Sequence, residues 1–284
     1  MTDTPAPADG PTDERSIRDV LGEARWTDDY LPRMAGEADP ERLELVTKRL
    51  RSATDTRPLN ARRAALKELA DQARLLVDRL VATDAPDEVI AAATAEVAAA
   101  AARFEGHHQG TLYGFSEAAN AGDRPDPLYD HSPLIGIANP LAPPLRLQEH
   151  DGVIVALATF GQAYEGPPGC VHGGYVAAAF DEVLGATQSL SGAPGMTGTL
   201  TIRYESPTPL KQELRFEGRL AGVERRKIFT EGACYAGDRL TATAKGIFIS
   251  LQPGRFLDLL AEREARQDDH RDPGAAGGED QPAT

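Results

Sequence analysis

A turn-forming run that feeds straight into a helix places the tightest limit on this chain. Tyr164-Glu165-Gly166-Pro167-Pro168-Gly169-Cys170-Val171-His172-Gly173-Gly174 is followed by Tyr175-Val176-Ala177-Ala178-Ala179-Phe180-Asp181-Glu182. Two glycines fall at the helix start, where the first backbone N–H groups have no partner inside the helix. Such a start attracts negative charge, including the transient oxyanion of acyl transfer. Val176, Ala179, Phe180, Val183, Leu184 and Thr187 follow the i, i+3, i+4, i+7 spacing of a buried stripe. Asp181 borders that stripe, and no Lys or Arg stands three or four residues from it. A carboxylate there is costly without a task or a partner. Glu182 is turned about 100° further round, so Asp181 is expected to be the more buried acid and Glu182 the more solvated.

Gly173 and Asp181 are separated by about 12 Å along a helix that rises about 1.5 Å per residue. Oxyanion donors and the group that delivers the nucleophile must both reach to within about 3 Å of one carbonyl. One helix cannot easily do both. If both act, two antiparallel copies of the helix build the site, which implies a homodimer with an isologous interface.

The flanking segments read as antiparallel strands. Leu145–His150 alternates, Asp151-Gly152 is a hairpin signal, and Val153–Phe160 is a more apolar strand. After the helix come strands at Gly198–Glu205, Glu213–Val223, Lys227–Ala236 and Leu240–Leu251, with a turn at Tyr235–Arg239. One long helix with a mostly antiparallel sheet is an α+β layout, and the pattern alone supplies no fold name.

Acidic residues outnumber basic ones by 44 to 30, for a net charge of −14 over 284 residues. That balance speaks against nucleic acid and anionic membrane as partners. An anionic ligand would need a local basic cluster, and Arg225-Arg226-Lys227 is the best candidate, against the plainer reading of a solvated turn. No stretch is long and apolar enough to insert in a membrane, Ala91–Ala102 included. Met1–Glu14 has no apolar signal core, and two cysteines make no disulfide framework, so the cytoplasm is the expected location.

Other chemistries fit poorly. Cys170 and His172 suggest a thiol nucleophile only weakly, and a small packing cysteine is the better reading. Ser206 lacks a nucleophile elbow. His107-His108 has no spaced ligand partners. Neither a phosphate loop nor a dinucleotide fingerprint occurs.

The run Tyr164–Gly174, Asp181, Met196–Tyr204, Pro207-Thr208-Pro209-Leu210 and Val223–Phe229 together resemble the hotdog-fold acyl-CoA thioesterases, in particular their PaaI-like branch that includes thioesterase superfamily member four. The resemblance covers about residues 130–252. It implies a hotdog fold and hydrolysis of acyl-CoA to free acid and CoA, with no metal or organic cofactor. It implies Asp181 as the catalytic carboxylate, nucleophile or base. Gly173 or Gly174 would polarise the thioester carbonyl. His172 would position, and Thr197 would orient water or nucleophile opposite the acid. Many relatives carry an amide six residues before the histidine. Here that position is Gly166, with Glu165 beside it as a substitute contact to substrate. Arg225, Arg226 and Lys227 would meet the CoA phosphates. The partners implied are the acyl-CoA substrate and a second copy of the chain, with a dimer of dimers left open. A non-catalytic acyl-CoA-binding protein is the alternative. A hydratase of the same fold carries its Asp and His in a different arrangement.

The remaining chain divides into a disordered tail (1–14), a helical region (15–105), a linker (106–129) and, after the 130–252 domain, a short helix with a disordered tail (253–284). Leu43, Val46 and Leu50 form one helical stripe; Leu66, Leu69, Ala73, Leu76, Val77 and Leu80 form a second; Val89–Phe104 is Ala-rich. These stripes need a partner surface, which the sequence does not identify. If the region is dispensable, a chain beginning near Tyr129 would remain dimeric and active.

Overall fold

The computed structural model describes residues 59–107, 130–143, 145–193 and 195–250. The expected tails, the Leu43 stripe, most of the linker and the C-terminal helix lie outside the described residues. Helix α1 (Ala61–Leu80) is capped by the Asn60 side chain, which accepts the Arg63 N–H at 2.9 Å. Helix α2 (Asp87–Ala102) opens after Pro86, with Asp87 and Glu88 in its first turn, where the helix dipole favours them. Strands β1 (Arg146–His150) and β2 (Val153–Thr159) are joined at Asp151-Gly152. Both turn residues have positive φ (49° and 77°), as a type I′ hairpin requires. Helix α3 (Gly173–Ser189) precedes β3 (Gly195–Tyr204), β4 (Glu213–Glu224), β5 (Lys227–Ala236) and β6 (Arg239–Ser250).

The six strands form one sheet in the order β1-β2-β4-β5-β6-β3, with every neighbouring pair antiparallel. Helix α3 lies against one face. The stripe read from the sequence is the buried one: Val176, Ala179, Phe180, Val183, Leu184 and Thr187 are all buried. Phe180 meets Phe216 of β4 edge to face, with ring centroids 5.2 Å apart. Two glycines let the helix come this close. A Cβ on Gly218 of β4 would lie 2.2 Å from Thr187 Oγ1, and one on Gly232 of β5 would lie 3.1 Å from Leu184 Cδ2. A central helix held by a curved antiparallel sheet is the hotdog arrangement that the resemblance implies.

The apolar stripe of α1 is largely open: Leu69, Leu76, Val77 and Leu80 are exposed, and Leu66 and Ala73 are half-buried. The docking side is polar, and consists of Arg63, Ala70, Arg74 and Asp78 at i, i+7, i+11 and i+15. Arg63 forms a two-pronged ion pair with buried Asp130 (2.8 and 3.0 Å). Arg74 donates to the carbonyls of Gly136, Ile137, Asn139 and Ala142 at 2.7–3.1 Å. Segment 130–143 is irregular, so its carbonyls lack sheet or helix partners, and the half-buried guanidinium fork of Arg74 supplies donors to four of them.

Gly218→Ala is expected to lower stability by about 1–3 kcal/mol, the usual cost of overpacking. Adding Thr187→Ala should recover part of the loss, because the clash is with the Thr187 hydroxyl. Denaturant unfolding of the two single variants and the double variant checks this.

Candidate active site

The start of α3 is fixed by the loop before it. His172 is the N-cap, and its Nδ1 accepts the Gly174 N–H at 3.0 Å. Nδ1 is therefore unprotonated in this geometry, and the ring proton belongs on Nε2. Gly174 is thus engaged, while the Gly173 N–H has no partner among the described residues. Of the two glycines expected to offer an N–H, Gly173 is the one free to meet a ligand. The His172 N–H donates to the Tyr164 carbonyl (2.9 Å) and the Val171 N–H to the Thr208 carbonyl (2.8 Å). The Tyr204 hydroxyl of β3 donates to the Gly173 carbonyl at 2.8 Å. Burial pushes the Tyr164 hydroxyl up to about 12, so it stays a donor, to the Leu141 carbonyl at 2.9 Å.

Glu165 is used inside this loop. One carboxylate oxygen accepts the Gly169 N–H at 2.6 Å and the other accepts the Gln162 side-chain amide. Gly166 has no room for a side chain, because a Cβ there would lie 2.7 Å from His172 Cα. An amide side chain cannot be housed at this position without moving the helix start.

Asp181 accepts the Thr197 hydroxyl at 2.8 Å. A bulge in β3 makes this pair. The β3–β6 register shifts between Thr197 and Thr199, so Thr197 lies opposite Phe248, Leu200 opposite Gly246 and Ile202 opposite Ala244. Opposed residues share a face. Phe248 belongs to the core, so the extra residue turns Thr197 to the α3 side; unbroken alternation would point it away.

The expected order of burial is reversed: Asp181 is exposed and Glu182 is half-buried. Asp181 and Glu182 lie about 100° and 200° from Phe180 around the helix, so both fall outside the buried stripe and their neighbours decide. Asp181 opens onto the side of edge strand β3, beyond which no further strand lies among the described residues. Glu182 is drawn into the wall of a cavity of about 310 Å³ that Asp181, Gly185, Gln188, Thr197 and Phe248 also line. Burial, and then the charge of Asp181, raise the Glu182 carboxyl from 4.5 to about 7. Gln188 is buried, and its Oε1 has no hydrogen-bond partner among the described residues. The roles of Glu182, Gln188 and the Tyr204 hydroxyl were not read from the sequence. Gln188 had one available signal, an amide next to the apolar stripe.

Arg225, Arg226 and Lys227 are exposed at the β4–β5 turn. Arg226 Nε donates to the Ser250 carbonyl at 3.1 Å. Lys227 pairs with Ile249, which pairs with Met196. The basic turn is therefore at the same end of the sheet as Thr197, about 10 Å away across two strand spacings. Cys170 is partly buried and bridges to Pro209. Burial pushes the Cys234 thiol up to about 12, which leaves it inert. The Ser206 hydroxyl is tied to the Leu240 carbonyl and Arg239.

A carboxyl whose pKa is raised by folding contributes stability below its unfolded value and loses it as pH rises through the folded one. Glu182 therefore weakens the fold progressively from about pH 4.5 to above pH 7. Glu182→Gln should unfold at a higher temperature than wild type at pH 8, by at most about 3 kcal/mol in stability, and the two should converge near pH 4. Thermal unfolding across that range checks the sign.

Residues 168–243 match the family model described as Thioesterase superfamily. Acyl-coenzyme A thioesterase THEM5 of Homo sapiens is 34% identical over 113 residues, 40% of this chain and 43% of that protein. Acyl-coenzyme A thioesterase THEM4 of Xenopus laevis is 34% identical over 102 residues, 35% of this chain and 46% of that protein. The chain thus spans less than half the length of these curated relatives. A crystal structure of a thioesterase superfamily protein is 33% identical, with a TM-score of 0.59, and the match covers 65% of this chain and 94% of that one. A relative matched over almost its whole length, on the same sheet-and-helix frame, shows that this chain belongs to the thioesterase superfamily.

Proposed function

We propose that the protein hydrolyses acyl-CoA thioesters to the free acid and CoA. The observation that carries this is a pair of features on one helix: an unpartnered N–H at Gly173 and, two turns on, an exposed Asp181 whose Oδ1 is held by Thr197. The acyl-CoA thioesterase names of the relatives and the PaaI-like motifs agree with it.

In this reading the thioester carbonyl rests on the Gly173 N–H of one protomer and faces Asp181 of a second. Thr197 occupies one carboxylate oxygen and leaves the other to accept a proton from water. That water attacks the carbonyl carbon, and the negative charge gathers on the oxygen at the Gly173 N–H and the α3 dipole. Collapse expels the CoA thiolate, and the proton taken by Asp181 can then be returned to the leaving sulfur or to solvent. His172 holds the helix start, and Tyr204 braces it from β3.

Two features support the homodimer. Gly174, Ala178, Asp181 and Gly185 share the α3 face that turns from the sheet, and three of the four are small enough for close helix approach. Strand β3 is a ten-residue edge with no charge before Arg203. Unprotected edges of that length are normally covered or paired. Arg225, Arg226 and Lys227 supply the positive charge that CoA phosphates need on an acidic protein, and Glu165 acts by shaping the loop. Among the described residues no helix is long and apolar enough to cross a membrane. The two unbridged cysteines fit the cytoplasmic setting that belongs to the same proposal.

Asp181→Asn should reduce kcat for thiol release by about 100-fold or more, the scale of a lost general base, with acyl-CoA binding retained. Binding without turnover in wild type, over short, medium, long and phenylacetyl substrates, would leave a ligand-binding protein instead. Arg226→Ala with Lys227→Ala should raise KM for acyl-CoA and leave KM for an acyl-pantetheine, which lacks the nucleotide phosphates, unchanged. Steady-state kinetics on the two substrates checks this.

A further inference from the structure

We infer that helix α1 is part of the active-site frame, with Asp78 as a positioning residue that holds the start of α3 through the turn at Gly161–Tyr164. The inference rests on the hydrolytic reading above for its effect on rate, and on geometry alone for its effect on structure. Asp78 Oδ1 accepts the Ala163 N–H at 3.2 Å. The approach is possible because residue 161 is glycine: a Cβ there would lie 2.4 Å from the same oxygen. Ala163 is the centre of a single 3-10 turn, Gln162–Tyr164. The next carbonyl, that of Tyr164, accepts the His172 N–H, and His172 Nδ1 accepts the Gly174 N–H. Three hydrogen bonds therefore run from α1 to Gly174, the neighbour of the free Gly173 N–H, and the first has a carboxylate acceptor, the stronger kind.

The Tyr164 side chain is gripped from the same helix. Its hydroxyl donates to the Leu141 carbonyl, and Arg74, one turn before Asp78, holds the carbonyls of Asn139 and Ala142 on either side. The Tyr164 ring meets Phe160 (5.4 Å between centroids) and Tyr175 of α3 (4.8 Å), both edge to face. Arg74 thus fixes the segment whose Leu141 carbonyl takes the Tyr164 hydroxyl, Asp78 holds the N–H of the preceding Ala163, and Tyr164 abuts α3 at both its N-cap and its first turn. On this contact the N-terminal region is not dispensable, and α1 takes part through a polar docking face.

The test uses the full chain. Steady-state thiol release and backbone hydrogen exchange over residues 161–175 are compared for wild type, Asp78→Ala and Asp78→Asn. Asp78→Ala should lose about 10-fold in kcat, as expected for a small misplacement of the oxyanion donor, with KM within about two-fold. Exchange in 161–175 should quicken by about 10-fold. Asp78→Asn, whose Oδ1 accepts the same N–H, should regain most of both. If Asp78→Ala does not fold, Gly161→Ala replaces it, since its methyl group displaces the carboxylate. A lowered melting temperature with kcat and exchange unchanged would overturn the inference and reduce α1 to a stabilising appendage. If wild type releases no thiol, the hydrolytic reading fails, and exchange alone decides: quickening in Asp78→Ala that Asp78→Asn reverses supports the frame, and its absence overturns it.

Discussion

The close seating of α3 on β4 and β5 is the constraint on which the rest depends. Gly218 and Gly232 remove the side chains that would hold the helix off, and Phe180, Leu184 and Thr187 fill the space. Because interiors pack near crystal density, this contact leaves the helix little freedom to slide or roll. Its axial position places Gly173 at one end and Asp181 two turns on. Its rotation turns Gly174, Ala178, Asp181 and Gly185 outward together. A helix lifted by one methyl group would disturb the Asp181–Thr197 hydrogen bond and the Tyr204 hydrogen bond to the Gly173 carbonyl at once.

What could be read in advance follows from how locally each feature is encoded. The buried stripe of α3 and the hairpin at Asp151-Gly152 are written in residues that touch, so period and turn chemistry recover them. The aim of Thr197 is not local. It depends on the extra residue at Gly198 in the β3–β6 register, and alternation by itself points Thr197 the wrong way. The choice between Gly173 and Gly174 depends on which nitrogen His172 offers and where its ring lies. Asp181 and Glu182 fall outside the buried stripe, so helical periodicity could not rank their exposure.

The docking face of α1 was hidden for a different reason. Apolar periodicity singles out a stripe of which Leu69, Leu76, Val77 and Leu80 are exposed and only Leu66 and Ala73 half-buried, while the polar contacts run through Arg63, Arg74 and Asp78. A polar face can dock where an irregular partner offers carbonyls with spare acceptor capacity, as segment 130–143 does to Arg74. Neighbouring acids on α3 meet different surroundings: exposed Asp181 accepts the Thr197 hydroxyl, and Glu182, drawn into the cavity wall beside it, is pushed toward the neutral form by burial.

In the proposed dimer one site takes its oxyanion donor from one protomer and its carboxylate from another. Mixed dimers test it most directly. Gly173→Pro removes the N–H at a first-turn position that tolerates proline, and Asp181→Asn removes the base. Each variant alone should be nearly inactive. Random mixing of the two by co-refolding should restore about a quarter of wild-type activity, because half the dimers are mixed and each of these has one intact site. Activity no higher than that of the two parents, with mixed dimers shown to have formed, would contradict the shared site.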